Sequence, residues 1–455
     1  MARRWGATGR LIPSAFVRQG GMVVRVDNSR CAHCGGCVSV CPVDALDLTE
    51  TLLAIRASCN DCGLCVAACP VGALAGHQDT WADVYGQSVA ARYDLIVIGA
   101  GPAGSIAAWT AADQGLSVLL LEKRQEIGSP VRCAEGVPSE SVSQFLEPSA
   151  GWISAEVSKA QIIASVGSHM LERWEGSGGG GFVLERRIFD RVLAERAAQA
   201  GSAVRVKTPV TGLLSENGSV TGVVASVVGK PNVAIQASIV IAADGVESRV
   251  GTWAGLDTRL PLEDTMACAQ YLLAGIDWDP ACLGYWIDET LAPGGYAWVF
   301  PKGEGRANVG LGMQADLGEV TALAYLNRFI ERERTLAAGS PVTLIAGNVP
   351  VALPCRQSFT GGLMLVGDAA RQVDPLTGGG IVNGMIAGRL AAETAVEALE
   401  SGDTSARSLA IYQERVERSL GRGLARNYRL RKSFPVERRA DHSFVRLFAV
   451  AAAGK

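Results

Sequence analysis

The chain has 455 residues, of which 48% are hydrophobic and 19% are charged, and its formal net charge at pH 7 is −3. This composition supports a large core, excludes an intrinsically disordered protein, and gives no bulk attraction to nucleic acid as a partner. The length predicts two or three domains, and no uninterrupted apolar stretch reaches the roughly 18 residues of a membrane-spanning helix.

The first segment, residues 1–21, contains four arginines and no acidic residue. Adjacent Arg3 and Arg4 would suit a twin-arginine export signal. Arg10 and Arg18, however, interrupt the apolar core that such a signal requires. We therefore expect this segment to be a disordered basic lead.

Eight of the twelve cysteines lie in residues 22–76, in two copies of the spacing CxxCxxCxxxCP. They are Cys31, Cys34, Cys37, Cys41, Cys59, Cys62, Cys65 and Cys69. Each short CxxCxxC loop turns three thiolates to one side, and a cubane takes its fourth thiolate from the other repeat. Zinc also binds CxxC pairs, but it takes four ligands and leaves the third closely spaced cysteine unexplained. The spacing therefore favours iron–sulfur clusters.

This repeat resembles the bacterial-type ferredoxins, and the resemblance implies a small α+β domain with two 4Fe–4S clusters. By that resemblance, one cluster would take Cys31, Cys34, Cys37 and Cys69. The other would take Cys59, Cys62, Cys65 and Cys41. Such a domain transfers single electrons, so we expect an upstream low-potential electron donor. Clusters of this type without an export signal indicate a reducing, cytoplasmic location.

A dinucleotide-binding pattern follows a linker predicted over residues 77–92. A buried-type strand over 93–98 leads into GxGxxG, an alanine-rich helix and a second strand that ends in Glu122. In this pattern the glycines form a tight turn, let backbone meet a pyrophosphate and pack helix on strand, while the acid accepts ribose hydroxyls. We expect six residues here to bind the cofactor: Gly99, Gly101, Ala103, Gly104, Glu122 and Lys123.

Two later segments indicate that the dinucleotide is FAD. One strand ends in Asp244-Gly245, and another ends in Gly367-Asp368 before a glycine-rich helix start. These segments resemble the flavoprotein pattern, which implies further cofactor contacts from Asp244, Gly245, Gly367, Asp368, Gly378, Gly379, Gly380 and Ile381. A helix N-terminus facing a flavin stabilises the anionic reduced ring. Since no second GxGxxG follows a strand, we expect electrons to enter through the clusters.

Aromatic residues mark the predicted substrate region. Tyr296, Trp298 and Phe300 alternate along one strand and therefore share one face. Next to the glycines of Gly310-Leu-Gly312, that face would form the wall of a long apolar cavity. The alternative is an ordinary strand that packs aromatic residues into a core.

The segment YxWxFP followed by GxG resembles the geranylgeranyl reductase family of FAD enzymes, as do the CxEG segment at Cys133 and the RxxFD segment at Arg186. The resemblance covers about residues 93–434. It implies an α/β flavoprotein of the p-hydroxybenzoate-hydroxylase-like type. Its Rossmann FAD domain would occupy residues 93–403, with an inserted antiparallel-sheet substrate domain at roughly 150–180 and 255–350.

The resemblance also implies an activity, the FAD-dependent reduction of isoprenoid carbon–carbon double bonds in a prenyl lipid or other apolar isoprenoid. Arg132 and Arg186 would contact the cofactor, with Arg187 as the alternative to Arg186. An isolated alkene accepts a hydride only if a proton arrives on the other carbon. Cys133 is the first candidate for that proton donor, followed by Tyr296 and Glu135, although a free cysteine is as often a packed core residue.

Residues 404–455 are predicted to be helical. Five arginines, from Arg415 to Arg429, recur at three- and four-residue steps, and an apolar strip runs from Phe444 to Phe448. Both features would suit peripheral contact with the inner face of an anionic membrane. The alternative is a solvated helix face with ion pairs such as Glu414–Arg418.

Two rival functions use the same cofactors. One is an electron-transfer flavoprotein that relays electrons between ferredoxin-type clusters and a quinone or a partner protein. The other is a hydroxylase of the same fold, which sits poorly beside oxygen-labile clusters. The segment YxWxFP with its following GxG favours the reductase.

Overall fold

The computed structural model describes residues 24–76, 90–166, 169–227, 230–317, 319–434, 436 and 439–452. The predicted basic lead over 1–21 lies outside the described residues, as does most of the predicted linker over 77–92. The chain divides into two compact units, Met1–Ser88 with Val228–Lys230, and Val89–Val227 with Pro231–Lys455.

The first unit is a small α+β domain built around the cysteine repeats. Its strands are β1 (Arg25–Val26), β2 (Leu46–Leu48), β3 (Leu53–Ile55) and β4 (Leu74–Ala75), and its helices are α1 (Gly36–Ser39) and α2 (Leu64–Ala68). β1 pairs with β4 and β2 pairs with β3, both antiparallel. Each helix follows a glycine of positive φ, +77° at Gly35 and +73° at Gly63, which turns the chain sharply between cysteines.

The first sheet of the second unit is mainly parallel. Its strands are β5 (Arg92–Ile98), β6 (Val118–Leu121), β10 (Ala203–Arg205), β11 (Val210–Glu216), β12 (Ser219–Val227), β13 (Lys230–Ala242), β19 (Phe359–Thr360) and β20 (Leu363–Leu365). β10, β6, β5, β13 and β20 follow one another as parallel neighbours. Alternate residues of β5 enter cores on opposite faces, since Leu95 packs on one side and Ile96 on the other. The pattern is that of a sheet buried on both faces.

Helices cover this sheet. They are α3 (Pro102–Asp113), α5 (Arg186–Gln199), α9 (Ile381–Ser401) and α10 (Ala406–Val416), with short helices α4 (Ser139–Ser143) and α6 (Arg249–Trp253) nearby. α3 and α9 pack closely because their contact surfaces are alanine and glycine. A Cβ on Gly388 would collide with the backbone of Ala103. This close packing brings the start of α9 beside the start of α3.

The second sheet has eight strands. They are β7 (Gly136–Pro138), β8 (Ile153–Val166), β9 (His169–Leu184), β14 (Thr265–Ala274), β15 (Cys282–Ile287), β16 (Tyr296–Pro301), β17 (Arg306–Gln314) and β18 (Ser340–Pro350). Their order is β18-β14-β17-β16-β15-β8-β9-β7. Helices α7 (Ala322–Arg332) and α8 (Arg334–Ala337) follow β17, and Leu326 and Phe329 of α7 pack into the sheet core. The predicted α/β fold with an inserted, largely antiparallel sheet is confirmed.

The C-terminal region is helical. α10 continues through a π-helical turn (Glu417–Gly421) into α11 (Arg422–Ser433), and α12 (His442–Ala452) follows. α12 buries Phe444 and Phe448 in the protein, where the Phe448 ring lies 5.0 Å from that of Tyr296. Protein aromatics thus cover Phe444 and Phe448, so these two rings do not face a membrane, whereas Leu447 and Val450 of the same helix are exposed. No helix within the described ranges combines the length and apolarity needed to cross a bilayer.

Candidate active site and cluster-binding loops

The second unit contains a cavity of about 510 Å³ between its two sheets. The carboxyl ends of the parallel strands form one part of the wall, and β14, β16, β17 and β18 form the other. Such a position, at the carboxyl edge of a parallel sheet, is where ligands of open α/β folds bind. Most of the predicted cofactor residues line it: Gly99, Gly101, Ala103, Gly104, Glu122, Lys123, Arg132, Arg186, Asp244, Gly245, Gly367, Asp368, Gly378, Gly380 and Ile381. Gly379 is not part of the described lining.

The GxGxxG loop has the shape that a pyrophosphate requires. A Cβ on Gly104 would collide with the carbonyl oxygen of Gly99, whereas Gly101 faces open space. Gly101 is also the N-cap of α3, so the helix presents its free N–H groups at the cavity wall. Glu122 is fixed at the end of β6, where its carboxylate accepts N–H bonds from Ala100 at 3.0 Å and Arg124 at 2.9 Å.

A buried carboxylate in the cavity wall lacks a partner on one oxygen. Asp244 accepts the backbone N–H of Val250 at 3.0 Å through Oδ2, while Oδ1 has no hydrogen-bond partner among the described residues. Burial raises the pKa of Asp244, and backbone N–H groups oppose that rise. A buried unpaired oxygen is costly, so its presence fits a ligand rich in hydroxyl groups, as the ribityl chain of FAD is.

The glycine-rich loop before α9 is held from two sides. The Asp374 carboxylate accepts the N–H groups of Leu376 and Thr377, both at 2.9 Å, through Oδ1. Its Oδ2 accepts the side-chain amide of Asn427 from α11 at 2.5 Å. Gly378, at φ +72°, then turns the chain into the cavity wall. The loop thus presents backbone to the cavity at the N-terminus of a 21-residue helix.

The two candidate arginines of the RxxFD segment separate clearly. Arg186 lines the cavity and forms a bidentate ion pair with Asp190 at 2.7 and 2.8 Å. Arg187 is exposed and does not belong to the described lining. Arg186 is therefore the arginine that can reach a cofactor here.

Cys133 lies in the cavity wall, partly buried. The backbone N–H of Glu135 donates to its sulfur at 3.2 Å. Burial raises the pKa of the Cys133 thiol, and the Arg186 guanidinium opposes part of that rise. The thiol is consequently protonated at neutral pH, as a proton donor must be.

Cys268, which lies outside every sequence motif, also lines the cavity. Burial raises the pKa of this thiol to about 12. Cys282 and Cys355 are buried and are not part of the described cavity lining.

Glu135, a candidate proton donor from sequence, is not part of the described cavity lining. Its Oε1 accepts the backbone N–H of Arg186 at 2.8 Å. Its Oε2 accepts from Lys302 at 2.8 Å and from Asn308 at 2.6 Å. The structure thus turns this carboxylate away from the cavity and into a buried ion pair, because the left-handed backbone of Glu135, at φ +75°, reverses the chain after Cys133.

The three aromatic residues of β16 share one face, with ring centroids 5.9 Å apart for Tyr296 and Trp298 and 6.4 Å apart for Trp298 and Phe300. Tyr296 and Trp298 line the cavity, whereas Phe300 packs against Tyr285 outside it. The Tyr296 hydroxyl donates to the carbonyl of Thr377. Burial raises the pKa of this phenol well above its ordinary value.

The neighbouring glycines make room beside these rings. A Cβ on Gly310 would lie 2.6 Å from the Trp298 ring, and one on Gly312 would lie 3.0 Å from the Cys268 sulfur. Sequence analysis missed several other lining residues, which come from distant elements without a motif: Gln270, Arg431, Arg439, Phe444 and Phe448.

The cysteines of the first unit lie in two groups. A small cavity is lined by Cys41, Cys59, Cys62 and Cys65, which is one of the two predicted ligand sets. In the other set, Cys31 and Cys69 are electrostatic neighbours of Cys37. Backbone N–H groups donate to two of these sulfurs. The N–H of Ala45 donates to Cys41 at 3.2 Å, and the N–H of Ala73 donates to Cys69 at 3.1 Å. Within the described ranges no three donor side chains converge on a single ion-sized point, whereas a cubane spreads its ligands around a larger core.

Three family models match the chain. Residues 23–70 match the 4Fe-4S dicluster domain, residues 94–304 match the FAD dependent oxidoreductases, and residues 264–349 match the geranylgeranyl reductase catalytic domain. A 4Fe–4S dicluster domain and an FAD-dependent oxidoreductase domain are therefore present. The zinc interpretation of the cysteines is thereby set aside.

Curated relatives are named digeranylgeranylglycerophospholipid reductase. That of Methanosarcina acetivorans is 51% identical over 337 residues, covering 72% of this chain and 81% of its own. That of Methanocella arvoryzae is 47% identical over 344 residues, covering 75% and 87%.

Among solved structures, a geranylgeranyl bacteriochlorophyll reductase-like protein from Thermoplasma acidophilum aligns with a TM-score of 0.72 and 38% identity, over 79% of this chain and 91% of that one. A flavin-dependent brominase aligns with a TM-score of 0.63 at 18% identity, over 80% and 94%, and shares the fold alone.

Proposed function

Since this chain belongs to the family of digeranylgeranylglycerophospholipid reductases, we propose that it reduces the carbon–carbon double bonds of prenyl chains in a phospholipid. The chain is an FAD-dependent oxidoreductase, and its 4Fe–4S domain fits the delivery of electrons to the flavin. The observation that carries the proposal is that one cavity is lined both by the GxGxxG loop and by aromatic residues of β16. Bound FAD would supply the two-electron chemistry, and the clusters the one-electron steps that feed it.

The residues fit that cofactor in a definite way. We propose that Gly101 and the N-terminus of α3 hold the pyrophosphate, and that Glu122 binds a ribose. Asp244 would offer a hydroxyl group the oxygen that has no partner among the described residues. The loop at Gly378 would bring backbone and the N-terminus of α9 to the flavin ring.

We propose two clusters in the first unit, with the ligand sets given by the ferredoxin resemblance. The four cysteines that line the small cavity, Cys41, Cys59, Cys62 and Cys65, would hold one of them. The backbone N–H groups that donate hydrogen bonds to Cys41 and Cys69 would stabilise their thiolates.

The reaction adds a hydride and a proton across the double bond. We propose that Cys133 gives the proton, because its thiol lies in the cavity wall and is protonated at neutral pH. Tyr296 is the second candidate, but its hydroxyl proton is already committed to the carbonyl of Thr377. Trp298, Phe444 and Phe448 would hold the apolar chain and keep water away from the thiol.

A basic surface on the C-terminal helices would bring the enzyme to its substrate. Four exposed arginines form it: Arg418, Arg422, Arg426 and Arg429. The predicted Glu414–Arg418 pair is not among the ion pairs of the described residues, whereas Arg415 pairs with Glu397 at 2.7 Å. Four exposed arginines on one helical segment support peripheral binding to an anionic lipid surface.

The proposal is tested by anaerobic single turnover. The chemically reduced protein is mixed with a phospholipid that carries geranylgeranyl chains, or with a menaquinone analogue, while the flavin absorbance is recorded. We expect the lipid to reoxidise the flavin and the product to gain two hydrogens per double bond by mass spectrometry. Reoxidation by the quinone alone would contradict the proposal and favour electron transfer.

The role of Cys133 is tested in the same assay. Loss of a proton donor slows such a step by about 10²–10⁴-fold, so Cys133→Ser should react that much more slowly. Cys282→Ser, which changes a buried thiol outside the cavity, is the matched control and should react at the normal rate. A Cys133→Ser protein with an undiminished rate refutes the assignment.

A further inference from the structure

We infer that Lys302 positions the Cys133 thiol, acting through the carboxylate of Glu135 in a buried ion pair behind the cavity wall. The inference rests on the proposed role of Cys133 and deepens it. Lys302 and Glu135 are not part of the described cavity lining, so both are positioning residues that act through the segment between them and the cavity.

The ion pair is closed to solvent. The side chains of Lys302 and Glu135 are 6% and 4% exposed, and Lys302 Nζ lies 2.8 Å from Glu135 Oε2. The ammonium also donates to the carbonyl of Leu184 and lies 3.3 Å from the Glu185 carboxylate. Lys302 directly follows β16, and Leu184 ends β9, so the lysine is anchored on two strands of the second sheet. It is therefore a rigid point from which to hold a loop.

Glu135, held by Lys302, fixes the conformation of the loop that follows Cys133. Its backbone adopts φ +75°, a region that side-chain-bearing residues enter at a cost and keep only when their contacts hold them there. The carboxylate provides these contacts, to Lys302, to Asn308 and to the backbone N–H of Arg186. In this conformation the Glu135 N–H points at the Cys133 sulfur, 3.2 Å away.

The rest of the segment is clamped by neutral groups. The Gln270 amide donates to the carbonyl of Cys133 at 3.0 Å, and the Asn308 amide donates to the carbonyl of Ala134 at 3.2 Å. Gln270 in turn accepts the indole N–H of Trp298 at 2.8 Å. Every residue from Cys133 to Glu135 is thus fixed. The two carbonyl contacts use neutral amides, so a lysine substitution leaves them in place and releases the contact between Glu135 and Lys302.

The decisive experiment is a double-mutant cycle on the holoenzyme. Lys302→Met, Cys133→Ser and the combined variant are compared in the single-turnover assay, with flavin content measured for each. A displacement of about 1 Å in a reacting group costs about 10²-fold, so Lys302→Met should slow the reaction by that factor at unchanged flavin content. In the Cys133→Ser background the same change should have no further effect, because the group it positions is gone. Additive losses, or a Lys302→Met protein with the normal rate, would overturn the inference.

Two further variants keep the test decisive. Glu135→Gln combined with Lys302→Met removes both buried charges while a glutamine oxygen still accepts from Arg186, so it covers the case in which Lys302→Met alone does not fold. We expect it to recover part of the rate lost in Lys302→Met. No recovery in a folded, flavin-loaded protein counts against positioning through the ion pair. Lys159→Met, which removes a lysine from an exposed pair with Asp279, is the control and should behave as the unmodified protein.

Alkylation separates this inference from the proposed function. The rate of Cys133 alkylation by iodoacetamide reports thiol placement whether or not the thiol donates a proton, and Lys302→Met should change that rate severalfold. If Cys133→Ser turns over normally, the proton-donor proposal fails while the alkylation result still decides the positioning. An alkylation rate identical in Lys302→Met and the unmodified protein refutes the positioning role.

Discussion

At the scale of single residues, the site contains two kinds of buried polar group. Some have hydrogen-bond partners that offset the cost of burial, and others would gain a partner from a ligand. Glu135 and Asp244 illustrate the two cases. Glu135 has Lys302, Asn308 and a backbone N–H around its carboxylate, whereas one oxygen of Asp244 has no partner among the described residues. The first arrangement is complete without a ligand, and the second is not.

The buried carboxylate of Asp244 therefore predicts that one substitution will have opposite effects on the stability of the flavin-free protein and on FAD binding. Burial raises its pKa above the ordinary value of 3.8, so the folded flavin-free protein loses stability as the pH rises past that value. Asp244→Asn removes this penalty and should stabilise the flavin-free protein at pH 7 by about 1 kcal/mol, while weakening FAD binding at least tenfold.

The measurement is thermal unfolding with and without added FAD at pH 4 and pH 7. The stabilisation by Asp244→Asn should be larger at pH 7, because the penalty for ionising the native carboxylate develops as the pH rises above 3.8. Asp279→Asn, at an exposed position paired with Lys159, is the control. A flavin-free Asp244→Asn protein that melts below the unmodified one at pH 7 contradicts the interpretation.

At the scale of elements, α11 links the basic surface to the glycine-rich loop before α9. Its exposed side carries Arg422, Arg426 and Arg429, and its buried side carries Asn427, whose amide binds Asp374 at 2.5 Å. The next buried residue, Arg431, donates to the side chain of Gln314 at 2.8 Å. One helix thus fixes both that loop and the end of β17.

Asn427→Ala tests this link. A hydrogen bond to a charged group contributes about 1.5–3 kcal/mol, and its removal also leaves Asp374 Oδ2 without this donor. We expect the free energy of unfolding to fall by about 2 kcal/mol in urea and FAD to dissociate faster. Gln199→Ala at the exposed end of α5 serves as the comparison and should change neither quantity. Unchanged FAD release in Asn427→Ala would contradict a role in holding the loop.

The sequence predicts the parts of the site that carry local patterns. GxGxxG, the CxEG cysteine and the aromatic strand all contribute to the cavity lining, because turns and strand alternation are local properties of the chain. Gln270 and Cys268 could not be predicted as lining residues, because only the pairing of β14 with β17 brings them to the cavity wall. The orientation of the Glu135 side chain also could not be predicted, because no local sequence pattern indicates a positive φ at that residue.

The apolar strip of α12 shows a different limit. Periodicity indicates that Phe444 and Phe448 share a face, but it does not say whether protein or lipid covers that face. In the structure the face packs on Tyr285 and Tyr296. The rings that were expected to meet a bilayer instead complete the cavity wall.

At the scale of the whole molecule, surface charge gives the last prediction. Each arginine near an anionic bilayer contributes about 1 kcal/mol, so Arg422→Gln with Arg426→Gln should weaken binding to vesicles by roughly 30-fold. Co-sedimentation with vesicles that contain phosphatidylserine measures the partition of the protein between solution and membrane. Arg196→Gln with Arg328→Gln removes the same charge from α5 and α7 and should leave binding unchanged. Equal loss in both double variants would indicate a bulk charge effect and contradict a specific surface.

The two cofactor sites differ in how much of the chain each one needs. The cluster ligands fall between Cys31 and Cys69, whereas the cavity wall draws on residues from Ile98 to Phe448. During synthesis on the ribosome, all eight thiolates are present once Cys69 has emerged, but the cavity wall is complete only when α12 has emerged. We expect iron–sulfur assembly to precede flavin loading, so a translation product truncated before α9 should carry iron and no bound flavin.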